Sequence, residues 1–230
     1  KKVKMREVKE MSAFDIIGPI MIGPSSSHTA GAVFLGQVAR AVLGQSPIKA
    51  EINLHGSFAK TAKGHGTDKA LIAGLLNLSA NDERIKKSFD LAKEEGLNYQ
   101  FNSVDLGDVH PNSVQISLWG ADKEAQVMGA SLGGGAIEIN NVQGRQVKFN
   151  GDYATLLIFG KNQPGTANDV TGAFVENNIN IAYLRVERLR HHKEAIMVFE
   201  TDDPIPERGI NAIRALSWVE WVCQIDKIYR

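Results

Sequence analysis

The sequence has one cysteine, Cys223, in 230 residues. One thiol closes no internal disulfide and falls well short of the roughly four ligands that a cysteine-rich structural zinc site or an iron–sulfur cluster takes. Any such cluster must be held by another chain. Cys223 lies in the run Trp218-Val-Glu-Trp-Val-Cys-Gln-Ile225, which predicts a strand with the thiol as a small buried hydrophobe. An excess of charge is also absent. Twenty-six basic side chains balance 26 acidic ones, at a pI near 7.2, which gives no electrostatic drive toward nucleic acid or an anionic membrane surface. Apolar runs such as Ala70 to Leu76 are far shorter than the roughly 20 residues of a membrane helix, and the basic, polar N-terminus lacks a secretory h-region. The expectation is a cytoplasmic protein. No repeat or low-complexity tract occurs.

Two segments differ in pattern, and the change falls near Gly144 to Gly151. The first begins with an apolar lead, Phe14-Asp-Ile-Ile-Gly-Pro-Ile-Met-Ile22, that enters the loop Gly23-Pro-Ser-Ser-Ser-His-Thr29. Val33, Phe34, Leu35, Val38, Val42 and Leu43 then recur at helical spacing, with small residues between them that permit close packing. Ile48, Ala50, Ile52 and Leu54 alternate with polar residues, the period of a half-buried strand. A second polar loop is read over His55 to Thr67, followed by a helix from Asp68 that Thr67 would cap. Another helix is expected over Asp82 to Glu95 with Asn81 as its cap and Gly96 as its stop. Strands follow at Asn98 to Val104, around Val114, Ile116 and Leu118, and at Ala125 to Leu132, then a Gly133-Gly-Gly135 turn and a strand from Ala136.

The second segment reads strand (Ala154 to Gly160), helix (Gly165 to Asn177), strand (Ile179 to Glu187), strand (Glu194 to Thr201), helix (Pro206 to Leu216), strand (Val219 to Ile228). That βαββαβ order fits a ferredoxin-like fold. The fold class is α+β, a mixed first domain over 1–147 followed by a ferredoxin-like domain over 148–230.

In Gly23-Pro-Ser-Ser-Ser-His-Thr29, four hydroxyls and an imidazole precede a small-residue helix. Backbone N–H groups, hydroxyl donors and a positive dipole end meet there, a setting for a carboxylate or phosphate. A helix cap alone needs one Ser or Thr. The nucleophile elbow G-x-S-x-G and the Gly-Lys-Ser/Thr ending of a P-loop are both missing, which argues against a Ser-His hydrolase and a nucleotide cradle. Ser25, Ser26, Ser27 and Thr29 are therefore candidate substrate-binding residues, and His28 is an acid–base candidate. Gly64-His-Gly-Thr-Asp68 sets His65 between two glycines with a carboxylate three residues on, so His65 and Asp68 form a second catalytic candidate pair. His55 falls at a strand end, His110 opens a turn before Pro111, and His191-His192 read as a solvent-facing hairpin.

The runs Phe14-Asp-Ile-Ile-Gly-Pro to Gly31, Gly56-Ser-Phe-Ala with Lys63-Gly-His-Gly-Thr-Asp68, His110-Pro-Asn112 and Ser131-Leu-Gly-Gly-Gly-Ala-Ile-Glu-Ile139 resemble the β subunit of iron–sulfur-dependent L-serine dehydratase. The resemblance spans essentially the whole chain. It implies a first domain similar to the substrate-binding regulatory domain of some phosphoglycerate dehydrogenases, followed by an ACT domain, and a partner α subunit that ligates a [4Fe–4S] cluster. It also implies that L-serine loses water and ammonia to give pyruvate, with the cluster's open iron acting as Lewis acid on the hydroxyl and a base taking the α-proton. Because ferredoxin-like sheets have exposed edges that a twin domain can cover, an ACT-mediated homodimer is also expected, and neither nucleic acid nor membrane is expected as a partner. Serine-reading ACT domains can carry His-x-Asn-x-Pro-Gly after their first strand. Here Asn162, Pro164 and Gly165 are kept as candidate regulatory residues, while Gly160 stands in place of the His. The rival from another class is a stand-alone amino-acid-sensing module without catalysis.

Overall fold

The computed structural model describes residues 25, 27–188 and 193–228. The apolar lead, Gly23, Pro24, Ser26, His191 and His192 lie outside the described residues. Chain order begins with α1 (Ala30–Leu43), β1 (Lys49–Leu54), α2 (Gly56–His65), α3 (Thr67–Leu75), a 3₁₀ turn (Glu83–Lys87) and α4 (Ser88–Glu94). Then come β2 (Asn98–Ser103), β3 (Ser113–Trp119), β4 (Glu124–Gly133), β5 (Ala136–Val142) and β6 (Arg145–Phe149). These strands form one sheet in the order β2-β1-β3-β4-β5-β6, with β1 and β2 parallel and every other pair antiparallel. The parallel pair needs a long crossover, which α2, α3 and α4 supply.

The second unit is β7 (Ala154–Lys161), α5 (Thr166–Glu176), β8 (Ile181–Arg188), β9 (Glu194–Thr201), α6 (Glu207–Arg214) and β10 (Val219–Ile225). Its sheet order β10-β7-β9-β8 is antiparallel throughout. Both faces are used. Leu156, Ile158, Met197 and Phe199 pack with Val170 and Phe174 of α5 and Ile210 and Ile213 of α6. Leu157, Ile196, Val198, Cys223 and Ile225 turn the other way and join the core of the first unit. Burial on both faces is why β7 reads as one apolar run rather than an alternation.

Helix α1 sits at the centre of that shared core, with 11 of its 14 residues buried. A helix apolar on nearly all sides must be covered on nearly all sides. The sheet strands β3, β4 and β5, helix α3 and strand β10 all contact it. The α1–α3 crossing depends on glycine. A Cβ at Gly36 would lie 2.6 Å from the Leu71 carbonyl oxygen and 2.9 Å from Gly74 Cα, and one at Gly74 would strike the Val33 carbonyl oxygen. Cys223 closes the contact from the other side, its thiol donating to the Ala41 carbonyl at 3.6 Å, and burial pushes that thiol up to about 12.

Four local expectations are corrected. The stretch read as a loop from His55 to Thr67 is mostly helix α2. Its apolar face is reduced to Phe58, Ala59 and Ala62, too sparse to register as a periodic pattern, while Phe58 is fully buried and anchors it. Thr67 does not cap α3. Gly66, at φ 72°, holds the cap position, and the buried Thr67 hydroxyl has no hydrogen-bond partner among the described residues. The helix expected from Asp82 is a 3₁₀ turn followed by a short α4, and Asp82 rather than Asn81 caps it by accepting from Arg84 N. Strand β6, which the sequence reading did not assign, carries the first sheet through residue 147.

The glycine crossing generates a paired expectation. Gly74→Ala should destabilise the chain by about 1–3 kcal/mol through overpacking, whereas Gly172→Ala, in α5 with nothing within 4 Å of its Cβ, should stabilise it by about 0.5–1 kcal/mol. Urea denaturation of the two variants checks both signs.

Candidate functional site

The Ser25–Thr29 segment turns on itself before α1 starts, with Thr29 N bonded to Ser25 O at 2.8 Å and Val33 N to Thr29 O at 2.9 Å. This turn carries His28 into the protein, where it is 8% exposed. Its Nδ1 lies 3.1 Å from Ser27 Oγ and 3.3 Å from Ser25 Oγ, and the two hydroxyls are 3.2 Å apart. Its Nε2 lies 3.5 Å from Ser57 Oγ. The ring meets Phe58 at 5.4 Å and the edge of His65 at 4.8 Å. Ser57, Phe58 and His65 can all reach one imidazole because His65 follows Phe58 by seven residues and Ser57 by eight on one helix, close to two full turns.

Helix α2 is hung from the His110-Pro-Asn112 segment, since Ser57 N donates to Pro111 O at 2.7 Å and a Cβ at Gly56 would come within 2.6 Å of that oxygen. Asn112 in turn binds Ser131, with Ser131 N donating to Asn112 O at 3.1 Å and Asn112 Nδ2 donating to Ser131 O at 3.4 Å. The Ser131 hydroxyl rests on the first turn of α1, in the space a side chain at Gly31 would fill. Thr29 and Ser131 are both essentially buried, and their hydroxyls have no partner among the described residues. Two orphaned hydroxyls beside the first turn of a buried helix offer hydrogen bonds to a bound polar molecule.

Burial, reinforced by the neighbouring His65, holds the His28 imidazole below the ordinary histidine range. It is therefore neutral at neutral pH and able to accept a proton. Of the predicted site residues, Ser25, Ser27, His28 and His65 come together and Thr29 lies beside them. Asp68 does not join them. Its carboxylate accepts from Lys69 N at 2.8 Å and its charge acts on Tyr99, with no ion pair to His65 within 4 Å. Asn162, Pro164 and Gly165 lie in the second unit, where Gly165, at φ 95°, opens α5 and Asn162 N donates to Lys193 O at 2.8 Å. A histidine at 160 would not fit beside them, because even a Cβ there strikes the Trp218 carbonyl. Ser57, Phe58 and Ser131 were not named as site residues from the sequence. The i, i+8 relation of Ser57 to His65 carried the signal, but only once their segment is a helix.

No three His, Cys, Asp or Glu side chains among the described residues are grouped so as to hold a metal ion, and no helix there is long and apolar enough to cross a membrane. Cys223, sealed in the core with its proton held tightly, does not fit a cluster ligand.

The site is thus a neutral, hydroxyl-ringed imidazole at the head of a buried helix, with a βαββαβ unit packed on the same core. The serine dehydratase beta chain family matches residues 12–142 and the ACT domain family residues 154–217. The L-serine dehydratase beta chain of Peptoniphilus asaccharolyticus is 43% identical over 206 residues, covering 89% of this chain and 93% of that protein. The probable L-serine dehydratase beta chain of Bacillus subtilis (strain 168) is 38% identical over 221 residues, covering 96% of this chain and 99% of that protein. L-serine dehydratase 2 of Escherichia coli (strain K12) is 26% identical over 236 residues, covering 87% of this chain but 49% of that protein. The chain belongs to the serine dehydratase beta chain family, with a C-terminal ACT domain.

The His28 environment sets a pH response. A base whose folded pKa is depressed binds fewer protons than in the unfolded chain, so stability should rise with pH between the lowered His28 value and the unfolded value near 6.5, and fall on acidification through that window. His65→Gln should move the His28 titration back toward the ordinary range only in part, because burial is the larger cause. Histidine ring chemical shifts followed against pH read this directly.

Proposed function

We propose that this chain is the β subunit of an iron–sulfur-dependent L-serine dehydratase, acting in the cytoplasm with an α subunit to convert L-serine to pyruvate and ammonia. The observation that carries the reading is the neutral His28 imidazole enclosed by the Ser25, Ser27 and Ser57 hydroxyls, in a chain 43% identical to an L-serine dehydratase beta chain. The match to only 49% of the longer E. coli dehydratase supports a partner chain that supplies the remainder. That partner would hold the [4Fe–4S] cluster.

The substrate carboxylate is received by the serine loop and the first turn of α1, with Ser25, Ser26, Ser27 and Thr29 as donors. His28 Nδ1 is engaged by two hydroxyls, while Nε2 has only the longer Ser57 contact, so Nε2 is the nitrogen that exchanges a proton with the ligand. Burial, with a smaller push from His65, favours the unprotonated form of that imidazole, and Asp68 contributes through the start of α3 rather than by direct contact. Loss of the α-proton and of hydroxide gives aminoacrylate, and its imine takes up water to release ammonia and pyruvate. The ACT domain serves as a homodimerisation and regulatory unit, with Asn162, Pro164 and Gly165 in its first loop.

In the assembled enzyme, His28→Ala should lower kcat by about a hundredfold or more with cluster content unchanged, and Ser25→Ala or Ser27→Ala should mainly raise KM. Pyruvate formation from L-serine, measured beside iron content, separates the two classes, and a near-normal kcat for His28→Ala overturns the assignment. The isolated chain, incubated with iron and sulfide, should stay colourless and inactive. A stable brown protein with a four-iron signal would contradict the partner-held cluster.

A further inference from the structure

His28 is only 8% exposed, so little of its ring is open to a ligand. Helix α2 lies across it. Ser57 Oγ stands 3.5 Å from Nε2, and the Phe58 and His65 rings lie at 5.4 and 4.8 Å. The Ser57 contact is at the outer limit of a hydrogen bond and is readily given up. The nitrogen that faces the ligand in the reading above therefore faces α2 in this structure.

Helix α2 is held less firmly than the helices beside it. It buries one of its ten residues, Phe58, against 11 of 14 in α1 and seven of nine in α3. Segments with few buried apolar contacts are the ones that open locally. The hold is also uneven. At the start, His55 N donates to Ser113 O at 3.1 Å, Leu106 N donates to His55 Nδ1 at 3.1 Å, and Ser57 N donates to Pro111 O at 2.7 Å. Phe58 follows directly on this anchorage. At the far end Lys63, Gly64 and His65 are exposed, and nothing lies within 4 Å of a Cβ at Gly64 or Gly66. His65 has neither a hydrogen-bond nor an ion-pair partner among the described residues. Gly66, at φ 72°, joins this loose end to the buried start of α3. His65 stands about 13 Å along the axis from Gly56 at 1.5 Å per residue, so a tilt about the anchored end displaces it far more than Phe58.

We propose that α2 is a hinged cover over His28, which pivots at Gly56 on the Pro111 carbonyl, bends at Gly66 and lifts His65 off the imidazole to admit the ligand. This rests on the reading of His28 Nε2 as the proton-exchanging atom and adds the motion that exposes it. The test takes the full chain and diethyl pyrocarbonate, which acylates a neutral imidazole nitrogen that it can reach, at reagent levels that modify fewer than one histidine per chain. Peptide mass mapping then assigns the label. His65 should react rapidly, and His28 more slowly, as often as α2 lifts. Gly64→Ala firms the last turn of α2 without a clash and should slow His28 acylation and α2 amide hydrogen exchange together, about threefold, with α1 exchange unchanged. Gly66→Ala, strained at its positive φ, should speed both. His28 acylation as fast as that of His65 in every variant would overturn the cover, since the imidazole would then stand open. Acylation only in step with α1 exchange would overturn it from the other side, α2 being then a fixed wall. The expected labelling beside a near-normal kcat for His28→Ala in the assembled enzyme would retire the acid–base reading and leave the cover standing.

Discussion

The close approach of α1 to α3 through Gly36 and Gly74 is the constraint on which the remaining structure depends. With the two backbones this near, α1 can be covered by α3 on one side, by β3, β4 and β5 on another and by β10 on a third. The first residues of such a helix have a fixed position, so the turn before it delivers His28 to one place. The same packing leaves the helix start reachable by the Ser131 strand end and by α2, the two elements that complete the site.

The imidazole and its hydroxyls act as a set. Burial lowers the basicity of His28, and a neutral imidazole in turn tolerates burial because Ser25, Ser27 and Ser57 offer it hydrogen bonds. His65 adds a second, smaller push in the same direction from the end of α2. The set is assembled from two segments, the turn before α1 and helix α2.

Most of the architecture was legible from periodicity. The second unit's six elements fall where apolar patterning places them, with ends shifted by a few residues, because each strand there has a clear apolar content and each helix a clear stop. The alternation in Ile48 to Leu54 and the apolar content of α1 were equally plain. Helix α2 was not, since a segment whose one large apolar anchor is Phe58 and which carries glycines at both ends reads as a loop. That single misreading hid Ser57 from the site and suggested that Asp68 orients His65. The helix instead turns Asp68 toward its own backbone and Tyr99. Contacts between distant segments, such as Asn112 with Ser131, leave no local trace in composition.

Helix α1 begins one residue beyond the site histidine's neighbour Thr29 and reaches Ala41, whose carbonyl receives the Cys223 thiol of the ACT sheet. Its 14 residues span about 21 Å at 1.5 Å per residue. An α-helix hardly compresses along its axis, so the separation between the Cys223 contact at Ala41 and the serine loop is held by one rigid element rather than by a flexible linker between the two units.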